Sequence, residues 1–155
     1  MKRIFTFIIF ILVLFVGLLV WQVIRFSDRN LHVVFCDVGQ GDAILITTPS
    51  GKQILLDGGP DDSILACLSN HMPFWDRTIE LVLLSHPHAD HLQGLISVFS
   101  SFKVGHFATE PLANDTAGYS ELQREIKNQK VKRKNMLGGD RIKMGDRVVI
   151  EVLGP

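Results

Sequence analysis

The chain has 155 residues, 46% of them hydrophobic and 21% charged, with 16 basic against 16 acidic side chains. That is the balance of one globular domain with an extra apolar element, and a net charge of zero excludes a uniformly basic or acidic binding protein. The charge is uneven, however: residues 57–91 hold six acids and one base (Arg77), and residues 121–147 hold nine bases and four acids. The first stretch suits cations and the second suits phosphates.

The apolar excess lies at the N-terminus. From Ile4 to Ile24 no residue is charged, and Gln22 is the only strongly polar one. At ~1.5 Å per residue this run reaches ~31 Å, enough to cross a hydrocarbon core. Lys2, Arg3 and Arg25 mark its ends, and Trp21 suits an interface. A cleaved signal peptide is the competing reading, but it needs a shorter apolar core and small residues at a cleavage site. The first alanine of the chain is Ala43. Residues 1–26 are therefore read as an uncleaved anchor that contacts the membrane through residues 4–24. Lys2, Arg3 and the amino terminus oppose Arg25 and Arg29, a slight bias towards the N-terminus inside and the remainder outside.

Residues 27–30 form a polar linker, and residues 31–155 read as one domain. Leu31 to Asp37 predicts a strand, rich in β-formers. Two glycines punctuate a loop over Val38 to Gly41. Asp42 to Thr48 reads as a strand covered on both faces, and Pro49-Ser50-Gly51 turns into a returning strand, Lys52 to Asp57. Asp61 or Asp62 can cap a helix through Asn70. His71 to Arg77 is irregular, with Met72, Pro73, Phe74 and Trp75 expected over the core. Glu80 to Leu84 is a buried strand. A helix runs from the next turn to Phe102, and Lys103 to Ala108 is another strand. Glu110 to Thr116 reads as loop. Ser120-x-x-Gln123 resembles a capping box before a helix ending near Gln129. Short strands follow over 131–135, 141–144 and 147–153.

Two cysteines, Cys36 and Cys67, fit no zinc spacing. Buried thiols are the default reading, and a disulfide is the alternative if the domain faces an oxidising compartment.

The turn after the buried strand carries the chemistry. Ser85-His86-Pro87-His88-Ala89-Asp90-His91 holds three of the six histidines of the chain. Imidazole and carboxylate suit zinc, manganese or iron. His86 and His88, two apart on a loop, can face one ion, and Asp90 and His91 remain for a second. His32, His71 and His106 lie outside any motif and read as structural.

This string resembles the metal-binding signature of the metallo-β-lactamase superfamily. Cys36-Asp37-Val38-Gly39-Gln40-Gly41-Asp42-Ala43, with Leu55-Leu56-Asp57-Gly58-Gly59, resembles the extracytoplasmic hydrolase-like domain of the ComEC family of DNA-uptake proteins. The resemblance implies an α/β fold, the N-terminal half of an αββα sandwich, preceded here by one transmembrane helix. It implies two divalent metals, zinc first and manganese as the alternative, at His86, His88, Asp90 and His91, with Asp90 also orienting the attacking water. It gives Asp57 a bracing role, hydrogen-bonded to the metal loop without binding metal. It brings Asp37, Gln40 and Asp42 near the site. The implied activity is a phosphodiesterase or nuclease, and the implied location is the cell membrane with the domain outside the cytoplasm. DNA uptake is not implied, because a single anchor forms no channel.

Lys130, Lys132, Arg133 and Lys134 can contact a nucleic-acid backbone, or simply solvate a helix end and an edge strand. The alternative to an enzyme is a membrane-tethered nucleic-acid-binding module or an inactive fragment. The family's later metal ligands have no counterpart here, so a fold incomplete at the C-terminus is expected, with an apolar sheet face left uncovered.

Overall fold

The computed structural model describes residues 2–111, 115–145 and 147–154. In chain order the elements are α1 (Lys2–Phe26), β1 (His32–Phe35), β2 (Ile44–Thr47), β3 (Gln53–Leu56), α2 (Ser63–His71), β4 (Thr78–Leu84), α3 (Ala89–Ser101), β5 (Lys103–Thr109), α4 (Ala117–Asn128), β6 (Lys132–Asn135), β7 (Arg141–Gly145) and β8 (Val148–Glu151). Strands β1 to β6 form one sheet in sequence order, and β7 pairs with β8 alone. The first three strands are antiparallel and joined by short loops. From β3 onward the pairing is parallel, and α2, α3 and α4 make the crossovers. The result is a mixed α/β layer structure.

Alternation along the strands divides the core in two. Leu45, Leu55, Val82, Leu84 and Phe107 face the helices, where Leu92, Leu95, Val98 and Phe99 of α3 pack on them. Each such side chain contributes about 1.5–3 kcal/mol by burial. Ile54, Leu81, Leu83 and Ala108 face the other way, against Met144 of the β7–β8 hairpin. Lys52 Nζ donates to the Met144 carbonyl and ties the hairpin down. The apolar face expected to lie open is therefore covered over its middle. At the β1–β2 end Val33 and Phe35 remain 49% and 77% exposed, so β2 is fully buried on one face only.

Glycine sets how closely α3 approaches the β3–α2 turn. A Cβ on Gly94 would lie 1.9 Å from the Gly58 carbonyl oxygen and 2.5 Å from that of Asp61. Both obstacles are backbone, so Gly94→Ala must push helix and turn apart. It is expected to lower stability by about 2–3 kcal/mol. An unchanged denaturation midpoint would contradict this packing.

Several sequence expectations need correction. Helix α4 starts at Ala117, not after Ser120. Its cap is Thr116, whose side chain accepts from the Tyr119 N–H at 3.3 Å, while the Ser120 N–H already bonds the Thr116 carbonyl. The earlier start adds the partly buried Tyr119 to the stripe of the buried Leu122 and Ile126. Phe74 and Trp75 do not cover the core: they form an exposed edge-to-face pair, and only Met72 of that segment is fully buried. Cys36 and Cys67 are not free thiols but a disulfide with a Cα–Cα distance of 5.7 Å. The pairing arises because the end of the edge strand β1 lies on α2. Of the expected loop from Glu110 to Thr116, residues 112–114 lie outside the described residues.

Helix α1 is long and apolar enough to cross a membrane, and none of its residues is buried in the protein. Between it and β1, Asp28 accepts from His32 Nε2 at 2.8 Å and from Asn30. Those bonds, the histidine's first, lower the Asp28 carboxyl to about 2.

Candidate metal centre

Strands β3 and β4 are parallel neighbours, so both finish at the same edge of the sheet. The Asp57 N–H bonds the Leu83 carbonyl at 2.9 Å, which sets Asp57 beside Ser85 where the two chains leave the sheet. Crevices at the carboxyl ends of parallel strands are the usual ligand positions in α/β sheets.

Asp57 is 2% exposed and receives three hydrogen bonds. Oδ1 accepts from the Ser85 N–H at 2.8 Å. Oδ2 accepts from the Ser85 hydroxyl at 2.6 Å and from His91 Nδ1 at 2.9 Å. A carboxylate is acceptor-only, so His91 must carry its hydrogen on Nδ1. The Ser85 hydroxyl has one hydrogen, already given to Asp57. Its 3.0 Å contact with His86 Nδ1 therefore makes that nitrogen the donor too. In the neutral imidazoles of His86 and His91, Nε2 is therefore the nitrogen that keeps its lone pair. Asp57 also sits at φ 57°, a left-handed conformation that aspartate tolerates better than most residues and that is common at functional sites.

The three rings of the turn touch. His86 lies 4.0 Å from His91 and 4.5 Å from His88, centroid to centroid. Asp90 Oδ2 is 3.8 Å from His91 Nε2, and its side chain is 41% exposed. His88 is the N-cap residue of α3, but its ring makes no capping bond and stays exposed. Asp90 lies in the first helical turn, where the helix dipole favours negative charge.

Among the described residues, no three His, Cys, Asp or Glu side chains are placed so that they could hold a metal ion together. The donor chemistry nevertheless fits a divalent cation. Two Nε2 lone pairs are set by fixed hydrogen bonds, a third imidazole is exposed beside them, and a carboxylate lies at the rim. A carboxylate holding the far nitrogen of an imidazole is the usual support of a metal-binding histidine.

The loop from Asp37 to Asp42 reaches the same place. A Cβ on Gly41 (φ 85°) would fall 1.9 Å from the Asp90 carbonyl oxygen, so only glycine allows the contact. The Asp42 carbonyl accepts from the Gly59 N–H at 3.0 Å, and Cys36 closes the neck of the loop through the Ala43 carbonyl at 2.9 Å. The side chains of Asp37, Gln40 and Asp42 are exposed at this rim; Asp37 bonds only its own loop, through the Gly39 N–H at 3.3 Å. Lys132, Arg133 and Lys134 stand exposed on the edge strand β6, with Lys130 just before it. Lys134 is 3.5 Å from Asp140. Ser85 is the residue whose work went unread in the sequence. Its place beside Asp57 depends on strand register, although its position between a buried strand and the first histidine was visible.

This α/β sheet, with a histidine-bearing turn at the carboxyl end of β4, shares the metallo-beta-lactamase fold of the solved structures it resembles. Residues 52–153 match the Beta-lactamase superfamily domain, and the chain belongs to that family. The Rm3 metallo-beta-lactamase is similar in structure, with a TM-score of 0.51 and 17% identity over 81% of this chain and 51% of that one. The metallo-beta-lactamase fold protein YhfI from Bacillus subtilis gives a TM-score of 0.52 and 17% identity over 74% of this chain and 48% of that one. A motif mutant of a metallo-beta-lactamase from Cronobacter sakazakii gives 0.50 and 16%, over 73% and 47%. This chain thus spans about half the length of these structures. No curated protein matches the sequence.

Proposed function

We propose that the protein is a membrane-anchored, metal-dependent hydrolase of phosphodiesters, ComEC-like in its site and facing away from the cytoplasm. The observation that carries this reading is the paired hydrogen bonding of His86 and His91 through Nδ1, to Ser85 and Asp57, which leaves Nε2 of each neutral ring available beside His88 and Asp90. His86 and His88 would hold one divalent ion and Asp90 with His91 a second, zinc or manganese. Such ions would supply Lewis-acid neutralisation of charge on a phosphoryl oxygen and ease the loss of a proton from water. The chain's own residues do the positioning. Asp57 holds His91 directly and His86 through Ser85. Asp90, half-exposed at the first turn of α3, orients the attacking water by accepting its hydrogen bond. Gln40 and Asp42 line the rim through which a substrate would enter. Lys130, Lys132, Arg133 and Lys134 would meet a polyanionic backbone.

Localisation outside the cytoplasm is supported by the Cys36–Cys67 disulfide, because such bonds persist in oxidising compartments. It agrees with the slight charge bias around α1.

The test is metal-dependent cleavage of single- and double-stranded DNA by the full chain in detergent micelles. Cleavage that requires zinc or manganese and is lost in His86→Ala and His88→Ala is expected. Cleavage that survives both substitutions would contradict the assignment. The exposed basic strand β6 favours a second reading, a tethered nucleic-acid-binding module. Salt-sensitive DNA binding without cleavage, unchanged in the same two variants, would favour that reading instead.

A further inference from the structure

Phe74 and Trp75 are the puzzle outside the metal centre. Their rings meet edge to face at 5.0 Å, yet they remain 54% and 47% exposed at the tip of a turn. Asp76 closes that turn through the Pro73 carbonyl at 2.9 Å and also accepts from the Thr78 N–H at 3.0 Å, so the pair is held on a fixed support. Two large aromatic rings, packed on each other and half exposed, leave apolar area that water does not favour.

Their place explains them. Helix α1 ends at Phe26 and β1 begins at His32. Five linking residues extend at most ~18 Å, so the nearest part of the domain must lie close to the exit of α1. That part carries the Phe74–Trp75 turn. Arg25 Nη2 donates to the Asn70 carbonyl at 3.2 Å, four residues before Phe74. Arg25, Phe26, His32, His71 and Pro73 line one cleft at the junction. The guanidinium of Arg25 also lies 5.3 Å over the ring of Trp21 and 5.1 Å over that of Phe26. Trp21 and Phe26 thus stack on Arg25 at the last turn of an apolar helix, and the cleft they share reaches Pro73, the residue next to the Phe74–Trp75 pair. Tryptophan, an apolar ring with a polar N–H, is enriched at the headgroup level of a bilayer, and Trp21 and Trp75 are of that kind.

We propose that the Phe74–Trp75 turn is a second membrane contact, inserted at headgroup depth beside the exit of α1. The partner is the lipid bilayer that α1 itself crosses, so the inference rests on the anchor reading. Two points of attachment would fix the tilt of the domain, where a lone helix with a short linker would let it swing. The edge of the sheet that carries His86 to His91 would then keep one orientation to the membrane plane.

The chain has two tryptophans, Trp21 and Trp75, one for each contact. Two full-length proteins, Trp21→Phe and Trp75→Phe, would be reconstituted in phosphatidylcholine–phosphatidylglycerol vesicles. Fluorescence would be read with lipid brominated near the top of the acyl chain and with aqueous iodide. In Trp21→Phe, the Trp75 emission is expected to be blue-shifted, quenched by the brominated lipid and shielded from iodide. Trp75 emission quenched by iodide and indifferent to the brominated lipid, while Trp21 in the other variant responds to lipid, would overturn the second contact and leave the anchor standing. If neither tryptophan responds to the brominated lipid, the anchor reading falls and takes this one with it.

Discussion

Asp57→Ala is expected to be the most damaging single substitution outside the histidines themselves. It leaves the Ser85 N–H, the Ser85 hydroxyl and His91 Nδ1 without their acceptor at a position that is 2% exposed. Hydrogen bonds to a charged acceptor are worth about 1.5–3 kcal/mol each, and bonds that share one carboxylate do not add in full. A loss of about 3–5 kcal/mol follows, measured on metal-free protein so that folding and binding are not confounded. Alanine also tolerates the φ of 57° less well than aspartate. Asp57→Asn separates the two effects. It keeps the size and the backbone tolerance, but sets an NH2 group against donors. It should fold with a smaller deficit and still lose about 10–100-fold in metal affinity, because His86 and His91 are no longer fixed. An Asn variant with unchanged metal affinity would show that the bracing network does not serve the imidazoles.

Breaking the Cys36–Cys67 link is the second large effect. The bridge spans 31 residues, and the chain-entropy relation gives about 3–4 kcal/mol for a loop of that size. For a domain of this length the melting temperature should fall by roughly 10 °C or more. The loss has a local consequence. Cys36 stands at the neck of the Asp37–Asp42 loop, and that loop meets the metal turn through Gly41 and Asp90. Reduction should therefore loosen the rim of the site before it unfolds the parallel strands, visible as faster amide exchange at residues 37–43 than in β4. The wild type should be reductant-sensitive in a thermal melt and Cys36→Ala/Cys67→Ala should not. Identical melts with and without reductant in the wild type would contradict the bridge.

What the sequence shows of this fold follows from the range of each interaction. The strand before His86 and the helix after it were legible because burial writes its period locally, as in Leu81 to Leu84 and then Leu92, Leu95 and Phe99. The hairpin before Asp57 was legible for the same reason. The disulfide was not, because Cys36 and Cys67 meet only when an edge strand lies across a helix, and neither neighbourhood signals it. Phe74 and Trp75 misled because an aromatic pair in a loop reads as core cover, whereas the two rings pack edge to face on each other and stay exposed. The α4 cap was misplaced because Ser120-x-x-Gln123 matches the capping-box pattern, whereas Thr116, with Tyr119 three residues on, does not and caps the helix by its hydroxyl alone. Ser85 shows the limit within the site itself. Its hydroxyl fixes the His86 tautomer only through Asp57, a residue 28 positions away.

The most direct measurement is elemental analysis of the folded full chain after equilibration with micromolar zinc and manganese and removal of free metal, compared with His86→Ala/His88→Ala. Bound metal in the wild type, lost in the double variant while the melt of its fold persists, is the expected result. A folded wild-type protein that stays empty, or one whose metal content is the same with and without the two imidazoles, would contradict the reading of this turn as a cation site.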